Sequence, residues 1–106
     1  KSKGMFLASF PDNRRPELIT IEDDVTITTY SIVLTHDLSR RYLYNEEIIG
    51  PVKIKKGAFI GVNSIIMPGV TIAENCIIGA GSIVTKDTEP NSIYFGSPAK
   101  KIKTLD

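Results

Sequence analysis

The chain has 106 residues, of which 42% are hydrophobic, and carries a formal net charge of +1. That length suits one domain with a modest core, the hydrophobic fraction argues against disorder, and a near-neutral chain without aromatic interleaving gives no case for nucleic acid. A single cysteine, Cys76, excludes an internal disulfide framework, and no stretch approaches the roughly 20 apolar residues of a membrane span.

In chain order, Met5-Phe6-Leu7-Ala8 reads as a worn repeat unit, and the chain begins at Lys1 apparently inside it. The expectation is that upstream sequence belongs to the same protein. No signal-peptide pattern opens the chain, and we read it as cytoplasmic, without membrane insertion. Ile21, Ile27 and Val33 then recur every six residues, with Asp24, Tyr30 and His36 three positions after each. From Val33 to Ile54 is 21 positions, which is not a multiple of six. An excursion must absorb the difference, and Asp37–Pro51, charged and holding two tyrosines, is predicted to form a protruding loop. Long polar loops that leave a regular array commonly carry function.

From Ile54 the six-residue period is unbroken: Ile54, Ile60, Ile66, Ile72, Ile78 and Val84. Three residues after each stand Gly57, Asn63, Gly69, Asn75, Gly81 and Asp87, types that tolerate a left-handed backbone and so mark corners. One residue further come Ala58, Ser64, Val70, Cys76, Ser82 and Thr88, all small or slender. Corner geometry is taken to explain Gly61 and Gly79 as well as Gly81. Lys86 to Asn91 is turn-forming, Ser92–Phe95 is predicted as a last strand, and residues 96–106 read as a tail bearing Lys100, Lys101 and Lys103.

A period of six fits neither a helix nor a flat strand, but it fits a solenoid of short strands and sharp turns. The predicted fold is therefore all-β. Three strands and three corners make a triangular coil of about 18 residues, and the whole chain, 1–106, makes a single domain of about four coils. The period-setting residue points inward, and the slender residue beside it fills a tight corner. Cys76 is accordingly a core residue and not a nucleophile. So short a prism leaves its flat faces uncovered, and self-association is the expected remedy.

For chemistry, the chain offers one histidine, His36, at the point where the period fails. An imidazole with an ordinary pKa of about 6.5 can act as general base there. Asp37, Glu46, Glu47 or a main-chain carbonyl could orient it; the bland alternative is a corner histidine. One histidine argues against catalytic zinc, which takes three protein ligands as a rule. There is no phosphate loop, no dinucleotide fingerprint and no nucleophile elbow. The lysine cluster is either a solvated tail or a receptor for a phosphorylated ligand.

Val33-Leu34-Thr35-His36-Asp37, the run Ile60–Ala80 and the ending Gly81–Lys100 resemble the hexapeptide-repeat acyltransferases, whose fold is a left-handed parallel β-helix. The ending is similar to the maltose and galactoside O-acetyltransferase branch. The resemblance implies a homotrimer that binds acetyl-coenzyme A between neighbouring prisms and passes the acetyl group directly to a hydroxyl of a sugar or polysaccharide precursor. It implies no metal. His36 matches the catalytic base. Val62 and Ala80 match corners along the pantetheine arm, Thr85 and Lys86 match a coenzyme-binding pair, and Lys100 and Lys103 match basic positions near the nucleotide phosphates. The acceptor asparagine of the maltose type has no counterpart near Phe6–Phe10. The competing reading is a non-catalytic β-helix that serves as a trimerisation module.

Overall fold

The computed structural model describes residues 5–6, 10–11, 16–37 and 48–106. Strands of two or three residues alternate with tight corners until the C-terminal end, where two longer strands close the array. The repeat dictates this: a six-residue unit that must turn at each corner has room for little more than two extended residues.

Most of the described strands stack in three sheets by parallel pairing. In the first, β1 (Met5–Phe6), β4 (Thr26–Ile27), β9 (Phe59–Ile60), β12 (Ile77–Ile78) and β14 (Ser92–Gly96) follow one another. In the second, β2 (Phe10–Pro11), β5 (Ile32–Val33), β10 (Ile65–Ile66) and β13 (Ile83–Val84) stack. The third joins β3 (Ile19–Ile21), β8 (Val52–Ile54) and β11 (Thr71–Ile72). Met5–Phe6, read as a worn repeat, thus adds a strand beside Thr26–Ile27.

Pairing places the period-setting residues in columns. Ile27, Ile60 and Ile78 are in register, as are Val33, Ile66 and Val84, and Ile21, Ile54 and Ile72. Apart from Ile21, these residues are at most 1% exposed and make up most of the core. Each fully buried isoleucine contributes roughly 1.5–3 kcal/mol of transfer free energy. The slender residues also point in: Ser31, Ser64, Ser82 and Cys76 are fully buried. The three serines stack at one corner. Ser31 Oγ donates to the Gly61 carbonyl (2.7 Å) and Ser64 Oγ to that of Gly79 (3.1 Å), while Ser82 Oγ accepts from Gly96 N–H (3.1 Å). Each hydroxyl so ties one layer to the next.

The left-handed corners fall largely where expected. Asp24, Tyr30, Asn63 and Asn75 have φ of 55–63°, and Gly57, Gly69 and Gly81 have φ of 72–82°. Two corrections follow. Asp87 is not left-handed; its Oδ1 instead accepts the Thr71 N–H (2.8 Å), and the next left-handed residue is Asn91 (φ 53°) at the following corner, above Asn75, where Asn91 N–H donates to Glu74 O (2.9 Å). Gly61 and Gly79 are not corner glycines either. A Cβ on Gly61 would lie 2.7 Å from Ala80 N, and one on Gly79 would lie 2.5 Å from the Phe95 ring, so close approach of the next layer excludes a side chain.

The C-terminal segment read as a tail carries β15 (Ala99–Thr104) over most of its length, antiparallel to β14. A parallel stack ends here on a reversed edge strand rich in lysine, which discourages pairing with a further strand.

Candidate functional site

The regular register of the stack is interrupted after Val33. The backbone of β6 (His36–Asp37) pairs antiparallel with β7 (Ile48–Ile49), His36 opposite Ile49, and Gly50 N–H donates to the Thr35 carbonyl (3.0 Å). His36 therefore sits on a short strand at the foot of the excursion, not at a left-handed corner. Residues 38–47, with Glu46 and Glu47, lie outside the described residues. Columns of sheet partners that are 18 residues apart above the excursion (Ile60 and Ile78) are 33 apart across it (Ile27 and Ile60). The surplus of 15 equals the length of segment 37–51, so the coil resumes in phase after it.

Val62 and Ala80 occupy another corner, on consecutive layers, joined by Gly81 N–H to Val62 O (2.8 Å). Both are exposed. Val62 is 43% exposed, and Ala80 presents only a methyl.

Thr85, Lys86 and Lys100 come together around one depression of about 260 Å³, completed by Asp87, Tyr94, Pro98, Ala99 and Lys101. Tyr94 builds its floor: the side chain is 9% exposed, and its Oη accepts the Glu89 N–H (2.9 Å). Lys101 Nζ is held by Glu89 Oε1 (2.8 Å), and this hydrogen bond raises the lysine pKa. Three cationic side chains thus rim a pocket whose one lining carboxylate, Asp87, is engaged with the Thr71 amide. The arrangement suits a phosphorylated ligand. Lys103, opposite Ile93 on the edge strand, is exposed and lies outside the depression. A second depression, of about 290 Å³ at Thr20, Ile21, Glu22, Asp23 and Lys56, has an acidic rim and holds none of the candidate site residues.

Sequence reasoning missed Tyr94, and it had Lys101 only as a member of the lysine cluster, not bound to Glu89. Tyr94 stacks on Ile78 at a spacing of 16 in place of 18, so it falls outside the period that marked the other inward residues. Cys76 is fully buried, with Sγ 3.3 Å from Thr88 Oγ1 and 3.2 Å from the Glu89 carbonyl; burial pushes its thiol up, away from nucleophile character.

Residues 51–86 match the family described as bacterial transferase hexapeptide (six repeats). That stretch carries the hexapeptide repeat of bacterial transferases, and the chain is similar to them beyond it. The galactoside O-acetyltransferase of Escherichia coli K12 is 37% identical to it over 99 residues, covering 83% of this chain and 49% of that protein. Among solved structures, the maltose O-acetyltransferase of Clostridium difficile 630 superposes with a TM-score of 0.80 at 28% identity, over 100% of this chain and 69% of that one. The N-acyltransferase AntD of Bacillus cereus, in complex with coenzyme A and dTDP-4-amino-4,6-dideoxyglucose, gives a TM-score of 0.83 at 29% identity, over 100% and 61%. This hexapeptide-repeat chain spans about a quarter to a half of the length of the curated relatives it matches.

Proposed function

We propose that this chain carries the core of an acetyl-coenzyme A-dependent O-acetyltransferase acting on a hydroxyl of a sugar or polysaccharide precursor, with the left-handed coil of its family, about four turns, and a protruding excursion at 37–51. The observation that carries this reading is the convergence of Thr85, Lys86 and Lys100 on one cationic depression. Solved relatives that bind coenzyme A support it.

In this reading Thr85 and Lys86 hold the donor and Lys100 and Lys103 attract its phosphates. Val62 and Ala80 border the pantetheine arm. His36 removes the proton from the acceptor hydroxyl as its oxygen attacks the thioester carbonyl; the new ester bond forms, the carbon–sulfur bond breaks, and the proton passes to the departing thiolate. Direct transfer needs no enzyme nucleophile, in keeping with a buried Cys76.

We include a homotrimer in the proposal. The outward residues of the second sheet, Ile32, Ile65 and Ile83, form an in-register apolar column, and so do Phe59, Ile77 and Ile93 of the first. The third sheet shows Thr20, Lys53 and Thr71 to solvent. Two unlike apolar faces on a triangular prism favour head-to-tail contacts that close into a ring. A cytoplasmic location, where the donor is available, is part of the same reading.

The test is thiol release from acetyl-coenzyme A over a panel of hydroxyl acceptors, for the wild type and His36→Ala. Loss of transfer with coenzyme binding and assembly intact is the expected result; undiminished turnover would sink the general-base role. Amino sugars belong in the panel, because AntD is an N-acyltransferase. Turnover with those alone would move the acceptor from hydroxyl to amine.

A further inference from the structure

Phe95 has no role in the core, yet it is held with care. It is 55% exposed, on the last layer of the stack. Its ring edge rests on the bare backbone of Gly79, where any Cβ would intrude to 2.5 Å. The strand beneath it is pinned on both sides, by Gly79 N–H to the Tyr94 carbonyl (2.8 Å) and by Gly96 N–H to Ser82 Oγ (3.1 Å). One exposed apolar residue is ordinary on a protein surface; what sets this ring apart is that it is seated on backbone and still more than half exposed, so that something can lie on it.

What surrounds it indicates what that is. Lys100 is the cross-strand partner of Phe95, and Lys103 is that of Ile93. Directly opposed residues of an antiparallel pair project to the same face about 5 Å apart, so cation and ring stand side by side. Glu89 occupies Lys101, whereas among the described residues no carboxylate pairs with Lys100 or Lys103. The corner that bears Val62 and then Ala80 on successive layers continues to Phe95–Gly96 on the next, because Gly79 bonds to Tyr94 and Ser82 to Gly96. A ligand running up that corner meets a ring and two lysines at the end of the stack.

We propose that Phe95 is the stacking platform for the purine base of the acyl donor's nucleotide, with Lys100 and Lys103 beside it for the phosphates. This rests on the coenzyme A reading above. A base laid on an aromatic ring fits the geometry in a way that a further protein strand does not, since the lysine-rich edge repels one.

Calorimetry separates the parts of the ligand. Coenzyme A, its nucleotide fragment (adenosine bisphosphate) and pantetheine are titrated into the wild type, Phe95→Ala and Phe95→Trp. Phe95→Ala should weaken coenzyme A and the nucleotide fragment on the order of tenfold and leave pantetheine unchanged, while Phe95→Trp should retain both affinities. Gly79→Ala, which tilts the ring by its Cβ, should reproduce the nucleotide loss. The oligomeric state, read by light scattering, should not move. Equal coenzyme A affinity in Phe95→Ala, an equal loss for pantetheine, or dissociation of the assembly would overturn the platform while leaving the donor reading in place. A wild type that binds coenzyme A nowhere up to millimolar ligand would overturn both.

Discussion

Alanine at Gly50 and alanine at Gly69 look like the same substitution, but the structure assigns their costs to different causes. An ideal Cβ on Gly50 would lie 2.7 Å from Gly69 N and 2.8 Å from Gly69 Cα. Those are backbone atoms of the next layer, and neither can give way without moving a strand. Gly50 is not among the left-handed residues, so its glycine is required by space alone. At Gly69 the reverse holds: an added Cβ meets nothing within 4 Å, but φ is 82°. Overpacking predicts a loss of about 1–3 kcal/mol for Gly50→Ala, and left-handed strain predicts about 1–2 kcal/mol for Gly69→Ala.

Asparagine discriminates, because it tolerates the left-handed region but is larger than alanine. Gly69→Asn should recover most of the loss, and Gly50→Asn should be no better than Gly50→Ala. Urea unfolding measures both. Amide exchange adds location, since Gly50→Ala should open the Gly50–Thr35 bond and the His36–Ile49 pairing at the foot of the excursion, whereas Gly69→Ala should spare them. A Gly50→Ala loss below about 0.5 kcal/mol, or a rescue by asparagine at position 50, would refute the close-packing account.

Three further outcomes are expected. The Cys76 thiol ionises near 9.0 in the unfolded chain and higher in the fold, chiefly through burial, with the Thr88 hydrogen bond opposing. Its contribution is therefore complete below that value and is lost as pH rises through the folded pKa, so the stability gap between wild type and Cys76→Ala should narrow above about pH 9; a gap that stays constant would contradict the raised pKa. Ser82→Ala leaves the Gly96 N–H without its acceptor and should cost about 1–3 kcal/mol in urea unfolding, well beyond an exposed Ser→Ala change. Lys86→Ala should weaken coenzyme A roughly tenfold by calorimetry, with the difference shrinking at high salt and the unfolding midpoint unchanged.

The placement of several candidate residues was legible in the sequence. His36 stood out because a period of six failed beside it, and there His36–Asp37 pairs antiparallel with Ile48–Ile49. Thr85, Lys86 and Lys100 came from family resemblance and converge on one depression. Val62 and Ala80 stack on one corner as expected, though apart from that depression. Tyr94 and Phe95 were not legible, and Lys101 was legible only as one of the lysine cluster. Their roles depend on a strand that reverses after Gly96 and on a last layer shortened by two residues, and neither leaves a periodic trace.

The sequence alone determined whatever a single unit decides for itself: which residue points inward, where a left-handed corner falls, and which side chains must be slender. Those are local requirements of sterics and burial, repeated until they become a pattern. Tertiary structure alone decided what depends on which layer lies above which. It turned Gly61 and Gly79 from corner glycines into contact glycines, left Asp87 out of the left-handed region while Asn91 adopts it one corner later, and made a lysine-rich tail into the edge strand that sets Lys100 beside Phe95. Register between distant segments is a property of the pairing, and no local spacing encodes it.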